Sequence, residues 1–308
     1  MARSAPHPFT LRQLQYAAAV AELLSFRRAA EQCRVAQPSL SAQIAQLEDA
    51  LGFRLFERLP RGVLLTTRGE AFLERARKIL LEADDLVAFS AKNRDPFAGT
   101  LRIGVIPSVA PYLLPHVAPA LRKLHPQLSI VWVEEKTAPL VERLARGDLD
   151  GGIVALESVL GDLDREAIAK DPFLLAVPPG HPLARGKGPV AVSVLDGETV
   201  LVLEDGHCFR DQALSLCRRV GADEAAVRAT SLSTLAQMVA SGAGITLLPA
   251  LSAETENRAR GLCLRSFTGQ CVHRTLAFVF RKQAPAAEAL RPMAKELRPL
   301  VEGLLQRR

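Results

Sequence analysis

The sequence predicts an α/β protein in which a small helical head and a long helix precede a larger domain built around a sheet. Three observations predict this order. Residues 9–65 carry apolar side chains at the spacing of short helices. A long helical pattern follows without interruption and stops before Pro96 and Gly99, two residues that end helices. After Thr100, short apolar runs alternate with helical stretches, which is typical of α/β folds with a mostly parallel sheet.

Composition and charge narrow the class of protein. At 308 residues the chain is long enough for two or more domains with sizeable cores. No apolar run approaches the roughly 18 residues of a membrane-spanning helix, and the early stretch "YAAAVAELLSF" contains Glu22 and lacks the features of a secretory leader. We therefore expect a cytoplasmic protein with no membrane partner. The net charge is +6, and from Met1 to Arg68 nine basic residues oppose five acidic ones, which favours a polyanionic partner for the head.

The head contains a predicted helix-turn-helix in "SFRRAAEQCRVAQPSLSAQIAQLE". Ser25 is suited to cap the first helix, and the small Ala29 and Ala30 allow the second helix to approach it. Pro38 lies just inside the start of the second helix, which Gly52 ends. The next segment, "ERLPRGVLLTTRG", predicts a small hairpin that turns at its Pro and Gly residues.

Short polar side chains at the start of the second helix are of the right type to reach base edges in the major groove. These are Gln37, Ser39, Ser41 and Gln43. On and after the hairpin, Arg58, Arg61, Thr66 and Arg68 are candidates for phosphate contacts. Ser25, Arg27 and Pro38 complete the candidate DNA-binding set. A three-helix bundle that binds another protein has the same pattern, so the residues alone leave that alternative open.

Two of the five cysteines, Cys208 and Cys217, lie nine residues apart in one predicted amphipathic helix. Cys208 falls in the first turn, where unpaired backbone N–H groups favour an anion, and His207 and Arg210 could add positive charge or donors. A thiolate at such a position attacks peroxide and becomes a sulfenic acid, which condenses with a second thiol.

The spacing of the two cysteines conflicts with a disulfide in an intact helix. Their Cα atoms would lie about 13–14 Å apart, whereas a disulfide requires roughly 7 Å or less. A bond between Cys208 and Cys217 would therefore force the helix to unwind. The alternative is that both are small buried hydrophobic side chains without a redox role.

The segment "AAEQCRVAQPSLSAQIAQLEDALGFRLFER" resembles the winged helix-turn-helix of LysR-type transcriptional regulators, and the resemblance covers the whole chain. It implies a winged helix-turn-helix DNA-binding domain over 1–66 and a linker helix over 67–95 that dimerises the heads through its apolar face. It also implies a redox-sensing regulatory domain over 96–308, two-lobed like type 2 periplasmic binding proteins. Lobe I would span about 99–172 and 274–308, and lobe II about 173–273.

Within this family, "LEDGHCFRDQAL", "IPSVAPYLLPH" and "HRTLAFVFR" resemble the sensor segments of the members that respond to hydrogen peroxide. The resemblance implies that Cys208 reacts with peroxide and that Cys217 resolves the product as a reversible disulfide. His207, Arg210, Asp211, Thr137, Ser108 and Arg274 would form the peroxide pocket. Ser108 stands where these relatives usually carry threonine, so the hydroxyl is kept and a methyl group is lost.

The resemblance implies five partners: promoter DNA, hydrogen peroxide, further copies of the chain as a dimer of dimers, RNA polymerase and a cellular thiol reductant. No metal-ligand spacing is present, and we expect no metal, no cofactor and no enzymatic turnover. Two alternatives stay open. One is a LysR-type regulator that senses a small metabolite between its lobes, and the other is a dithiol peroxidase.

Overall fold

The computed structural model describes residues 7–59, 62–90, 95–186, 188–258, 261–269, 272–282 and 284–306. The chain divides into two compact units, Met1–Lys92 and Asn93–Arg308. Within the described ranges, no helix combines the length and the apolar character needed to cross a bilayer.

The N-terminal unit contains four helices and a two-stranded hairpin in its described part. The helices are α1 (Leu11–Leu23), α2 (Phe26–Gln32), α3 (Gln37–Leu51) and α4 (Thr67–Ser90). The hairpin strands are β1 (Phe56–Leu59) and β2 (Gly62–Leu65), paired antiparallel as the sequence predicts. The turn between them, Pro60 and Arg61, lies outside the described residues.

Local capping explains where the first helices begin and end. Thr10 and Gln13 form a capping box at the start of α1, each accepting a hydrogen bond from the other's backbone N–H. The Ser25 hydroxyl accepts a bond from the Arg28 backbone at 3.4 Å, which confirms the predicted cap of α2. Gly52 ends α3 in the left-handed conformation, with a φ of 75°.

The head packs around one apolar cluster in which Ala29 and Ala30 are buried between helices. Buried Glu48 joins α3 to the hairpin, because its carboxylate accepts bonds from the backbones of Leu55 at 2.7 Å and Phe56 at 3.1 Å. The start of α4 packs closely against Leu55, the residue before β1. A β-carbon placed on Gly69 would be 2.2 Å from the carbonyl oxygen of Leu55. Only a glycine allows this approach.

The C-terminal unit is a mixed sheet surrounded by helices. Its strands are β3 (Gly99–Val105), β4 (Leu128–Glu134), β5 (Gly151–Ala155), β6 (Leu163–Val177), β7 (Thr199–Leu203), β8 (Asp223–Ala229), β9 (Thr246–Pro249), β10 (Cys263–Ser266) and β11 (His273–Arg281). Its helices are α5 (Ala110–Leu124), α6 (Thr137–Arg146), α7 (Cys208–Val220), α8 (Leu232–Ala240), α9 (Ala250–Asn257) and α10 (Ala287–Gln306).

Seven strands form one sheet in the order β10-β6-β11-β5-β3-β4, with β9 also paired to β6, while β7 and β8 pair separately. The expectation of a mostly parallel sheet was wrong. Only β3 with β4, β3 with β5, and β7 with β8 are parallel among the described strand pairs. The long strands β6 and β11 run antiparallel to each other, and β6 also pairs antiparallel with β9 and β10. Cys263 begins β10, which pairs with β6, and Cys271 lies outside the described residues.

The two positions at which the chain is expected to cross between the lobes lie side by side. Pro172 of β6 is the register partner of His273 of β11, and Asp171 is that of Arg274. Strand β11 begins at His273, whereas β6 continues past Pro172 and there pairs with β9 and β10. On the far side, α7 packs on β7 and β8 and carries the two cysteines.

Candidate functional site

The start of α3 presents polar side chains to solvent. Gln37, Pro38 and Ser39 are exposed, and Ser41 and Gln43 are half-buried. The Ser41 hydroxyl is buried and has no hydrogen-bond partner among the described atoms. A buried hydroxyl of this kind packs within the head, so the exposed residues are the better placed to meet bases.

Several other candidate DNA contacts also have structural partners. Arg27 is exposed and lies 3.6 Å from Glu31 one turn later in α2. The Thr66 hydroxyl donates to the carbonyl of Arg54 at 2.8 Å and accepts from the backbone of Gly69 at 2.9 Å, so it caps α4.

Arg68 is exposed, and its guanidinium carbon lies 5.7 Å above the ring of Phe53. Arg58 lies in β1, and Arg61 falls outside the described residues. The two arginines with described side chains at this end of the head, Arg54 and Arg68, also line a surface depression of about 450 Å³.

Cys208 is the first residue of α7, and Cys217 lies near its last turn. Both are free thiols and both are buried. Nine residues of intact helix separate them, which places their Cα atoms about 13–14 Å apart. Burial raises the pKa of the Cys217 thiol to about 11, so this thiol is protonated at neutral pH.

The turn before α7 brings several charged groups to the start of that helix. Gly206 adopts a φ of 90°, and His207 occupies the N-cap position with its ring 5 % exposed. The Nε2 atom of His207 has no hydrogen-bond partner among the described atoms, and it lies 3.9 Å from Glu204. Burial, and next the charge of Lys136, lower the pKa of His207, although Glu204 opposes the shift. The imidazole beside Cys208 is therefore neutral at physiological pH.

Arg210 is held by carboxylates. Its two terminal nitrogens lie 2.8 Å from Glu224 and 3.4 Å from Asp205. Asp211, the next residue, is exposed at the first turn of α7. The structure therefore separates these neighbours: Arg210 is buried with partners, and Asp211 faces solvent.

Arg274 lies near the start of β11 with its side chain wholly buried. It donates to the carboxylate of buried Asp171 at 2.9 Å, to the Ser108 hydroxyl at 2.6 Å and to the Ser108 carbonyl at 3.0 Å. Its guanidinium carbon lies 6.0 Å from the ring centroid of Phe209 in α7, and Phe209 packs edge-on against Phe173 of β6. Ser108, Arg274 and Phe209 of α7 are thus connected through direct contacts.

Thr137 begins α6 and is buried, and its hydroxyl has no hydrogen-bond partner among the described atoms. An unpartnered buried hydroxyl is costly unless a ligand or water meets it. The preceding residue, Lys136, donates to Glu204 at 2.5 Å and to the carbonyl of Asp205 at 3.3 Å. Through its neighbour Lys136, Thr137 is therefore held near the turn that leads into Cys208.

Sequence reasoning missed Asp171, Glu204 and Lys136 as members of this region. Glu204 lies inside the segment "LEDGHCFRDQAL", and Asp171 lies one residue before the position at which the chain is expected to leave lobe I. The sequence therefore contains a signal for both residues. Nothing in the sequence around Lys136 indicates its partner, which lies 68 residues further along the chain.

A cavity of about 260 Å³ adjoins the turn before α7, and its wall combines apolar side chains with hydroxyl and carboxyl groups. Ser108 and His207 contribute to its wall, and so does buried Glu256, which accepts bonds from Tyr112 at 2.7 Å and Ser233 at 2.8 Å. In the described part of the chain, no three His, Cys, Asp or Glu side chains form a group of the kind that holds a metal ion.

Comparison with known families matches both units. Residues 11–70 match the bacterial regulatory helix-turn-helix protein family of lysR type, and residues 94–301 match the LysR substrate binding domain. A hydrogen peroxide-inducible genes activator from Pectobacterium carotovorum is 41 % identical over 96 % of this chain and 98 % of its own length. The DNA-binding transcriptional dual regulator OxyR of Escherichia coli is 41 % identical over 95 % of this chain and 96 % of its own.

Solved structures show the same similarity. A cysteine-to-aspartate variant of full-length OxyR from Pseudomonas aeruginosa matches with a TM-score of 0.78 and 34 % identity, over 95 % of this chain and 96 % of that one. A cysteine variant of Corynebacterium glutamicum OxyR, described as bound to hydrogen peroxide, matches with a TM-score of 0.66 and 32 % identity, over 98 % and 97 %.

Proposed function

This chain belongs to the LysR family of bacterial regulators, and we propose that it is a DNA-binding transcriptional regulator that senses hydrogen peroxide through Cys208. A reversible Cys208–Cys217 disulfide remodels the regulatory domain and changes the transcription of oxidative-stress genes. The names of its relatives support this assignment, since one is an activator of hydrogen peroxide-inducible genes and another is the dual regulator OxyR, each 41 % identical over nearly the whole chain.

One observation carries the proposal: two free, buried thiols occupy the two ends of a single intact helix. A disulfide and this helix exclude each other, because the required approach of the Cα atoms is roughly half the distance that the helix imposes. Oxidation therefore converts a chemical event into a change of fold, which is the property a switch requires.

The chemistry proceeds in two balanced steps. The Cys208 thiolate attacks one oxygen of hydrogen peroxide, the O–O bond breaks, and the hydroxide that leaves takes up a proton to become water. Cys217 then attacks the sulfenic sulfur of Cys208. The S–S bond forms, the S–O bond breaks, and the thiol proton of Cys217 leaves with the hydroxide as a second water. A cellular dithiol returns the pair to the reduced state and becomes a disulfide itself.

The neighbouring residues assist the first step in distinct ways. The free hydroxyl of Thr137 offers a hydrogen bond to peroxide, and the neutral imidazole of His207 provides a donor or an acceptor beside the sulfur. Arg274 keeps the Ser108 hydroxyl in a fixed orientation at 2.6 Å. Arg210 and Asp211 contribute less directly, since one is paired with carboxylates and the other faces solvent.

The DNA-binding part of the proposal assigns 1–66 to the winged head, 67–95 to the linker and 96–308 to the regulatory domain. In the linker, Ile79 and Leu86 are 47 % and 67 % exposed, which supports pairing with a second copy of α4. We place four chains on promoter DNA as a dimer of dimers, in the cytoplasm, where RNA polymerase and thiol reductants are present. Peroxide is consumed once per switching event, so the protein acts as a regulator and not as a peroxidase.

The test is mass spectrometry of the full-length protein after one equivalent of peroxide. We expect a Cys208–Cys217 disulfide, which Cys208→Ser abolishes together with any change of promoter footprint, while reduced DNA binding stays intact. Cys263→Ser is the matched control, because Cys263 is another free, partly buried thiol. A Cys208→Ser protein that still changed its footprint on adding peroxide would refute the proposal.

The cavity beside the turn supports a second candidate function, the sensing of a small metabolite. Its wall combines apolar side chains with hydroxyl and carboxyl groups, a lining suited to a small organic ligand. A promoter footprint that responded to a cell extract freed of peroxide, and not to peroxide itself, would favour this candidate.

A further inference from the structure

The strongest unexplained contact near the sensor is the ion pair between Lys136 and Glu204. The Nζ atom of Lys136 lies 2.5 Å from Oε1 of Glu204 and 3.3 Å from the carbonyl oxygen of Asp205. Lys136 precedes α6, which follows the large sheet, and Glu204 follows β7 of the separate two-stranded sheet. One side chain therefore ties together two parts of the regulatory unit that no described strand pairing joins at this point.

The lysine also covers the backbone of the turn. A β-carbon on Gly206 would lie 3.3 Å from Cδ of Lys136 and 3.7 Å from its Nζ. The aliphatic stem of Lys136 thus lies against Gly206. Its ammonium group binds Glu204 and the carbonyl of Asp205, the two residues before Gly206. Charge and packing act on the same short segment, Glu204–Gly206, which ends two residues before Cys208.

Holding this segment restricts the sulfur that must move. Two residues of chain reach at most about 7 Å, so Cys208 cannot leave the neighbourhood of Gly206 while the segment is fixed. Disulfide formation requires the two Cα atoms to close from about 13–14 Å to roughly 7 Å. With the contact intact, Cys217 must make most of that movement alone, from a buried site.

We propose that Lys136 is a positioning residue of the thiol switch, which holds the turn before Cys208 against the start of α6 and so stabilises the reduced arrangement. The inference rests on the proposed function and deepens it. Lys136 touches neither sulfur nor peroxide, and it acts through Glu204 and Gly206. Opening the contact lets Cys208 travel toward Cys217, so the lysine sets the balance between the dithiol and the disulfide.

The test measures the dithiol–disulfide equilibrium of the full-length protein in a glutathione buffer. We expect Lys136→Gln to shift the equilibrium about two- to fivefold toward the disulfide, the effect of losing one partly exposed ion pair. Glu204→Gln should give a similar shift, the double variant should add little to either, and Lys136→Arg should restore the wild-type value. In a Cys217→Ser background, the rate of peroxide attack on Cys208 should not increase.

Lys282→Gln is the matched control, because Lys282 forms a comparable surface pair with Asp162 at the end of β11. It should leave the equilibrium unchanged. An equilibrium unaltered by Lys136→Gln, or altered equally by Lys282→Gln, would overturn the positioning role while leaving the proposed function in place. If the wild-type chain formed no Cys208–Cys217 disulfide at all, both the proposed function and the role of Lys136 would fall together.

The charge of Lys136 provides a second readout, which a packing role alone would not produce. Removing the ammonium group leaves His207 facing Glu204 without the opposing cation. We expect the NMR titration of the His207 ring to move to higher pH in Lys136→Gln and to return in Lys136→Arg. An unmoved titration would contradict the proposed geometry.

Discussion

Arg274 and Asp171 form an ion pair at 2.9 Å in which both side chains are completely buried. They are register partners on the antiparallel strands β11 and β6, at the point where the chain is proposed to pass between lobes. The other carboxylate oxygen of Asp171 accepts a bond from the backbone of Leu251 at 2.9 Å. The pair therefore joins two strands, the start of α9 and the sensor region in one network.

We predict that Asp171→Ala destabilises the regulatory unit by about 3–5 kcal/mol, because it leaves the Arg274 guanidinium buried without a counter-charge. Urea unfolding of the full chain, followed by circular dichroism, measures the change. Asp162→Ala removes an exposed partner of Lys282 and should leave the unfolding midpoint unchanged. If the two substitutions changed the free energy of unfolding equally, the buried pair would contribute no more to stability than the exposed one.

A second prediction concerns the pH dependence of disulfide formation. Burial raises the pKa of Cys217 from 9.0 to about 11, so the stability contributed by this protonated thiol is complete below pH 9.0 and is lost as the pH rises through about 11. Attack within the intact helix is geometrically impossible, so Cys217 must react after the helix opens. We expect the rate of the second step, measured by stopped flow, to reach its plateau with an inflection near 9.0. An inflection near 11 would mean that the thiol ionises while still buried.

The third prediction concerns acid. The pKa of His207 is depressed below 6.5, so the stability contributed by its neutral ring is complete above pH 6.5 and is lost as the pH falls through the lowered value. Protonation places a charge at the N-terminus of α7, where the helix dipole disfavours it. The protection factors of the first-turn amides of α7, which are corrected for intrinsic exchange, should fall below pH 6.5, and His207→Gln should remove that change. Protection factors that stay constant with pH in the wild type would argue against this role.

The fourth prediction separates phosphate contacts from base contacts in the head. Arg68→Ala should weaken binding to every DNA sequence and reduce the slope of log K against log salt by about 1. Ser39→Ala should instead alter the preference among related sites and leave the slope unchanged. Fluorescence anisotropy over a series of salt concentrations measures both, with Arg146→Ala in the regulatory unit as the control. A sequence-selective effect of Arg68→Ala would remove it from the phosphate contacts.

The sequence predicted those helices and strands whose ends or faces are marked by nearby residues. The helix that begins at Cys208, the hairpin and the long α4 all follow from periodicity and from the positions of Ser, Pro and Gly residues. Thus the position of Cys208 in a first helical turn needed no knowledge of the rest of the chain.

Two strands, β6 in its first part and β8, lack the apolar pattern from which a buried strand is predicted. The first part of β6, "LDREAIAKDP", contains three consecutive charged residues and ends in Pro172, so its sequence does not predict a buried strand. Strand β8, "DEAAVRA", has small and charged residues that also suit a helix. The pairing of Asp171 with Arg274, 103 residues apart, depends on the register of two strands, which local sequence does not encode.

The edge-to-face contact of Phe209 with Phe173, whose ring centroids lie 5.3 Å apart, joins the sensor helix to the longest strand of the sheet. Any rearrangement that lifts the Phe209 ring away removes a packing partner from Phe173, which lies two residues from Asp171 in β6. Oxidation can thus loosen the surroundings of the buried ion pair between Asp171 and Arg274, although neither residue takes part in the thiol chemistry.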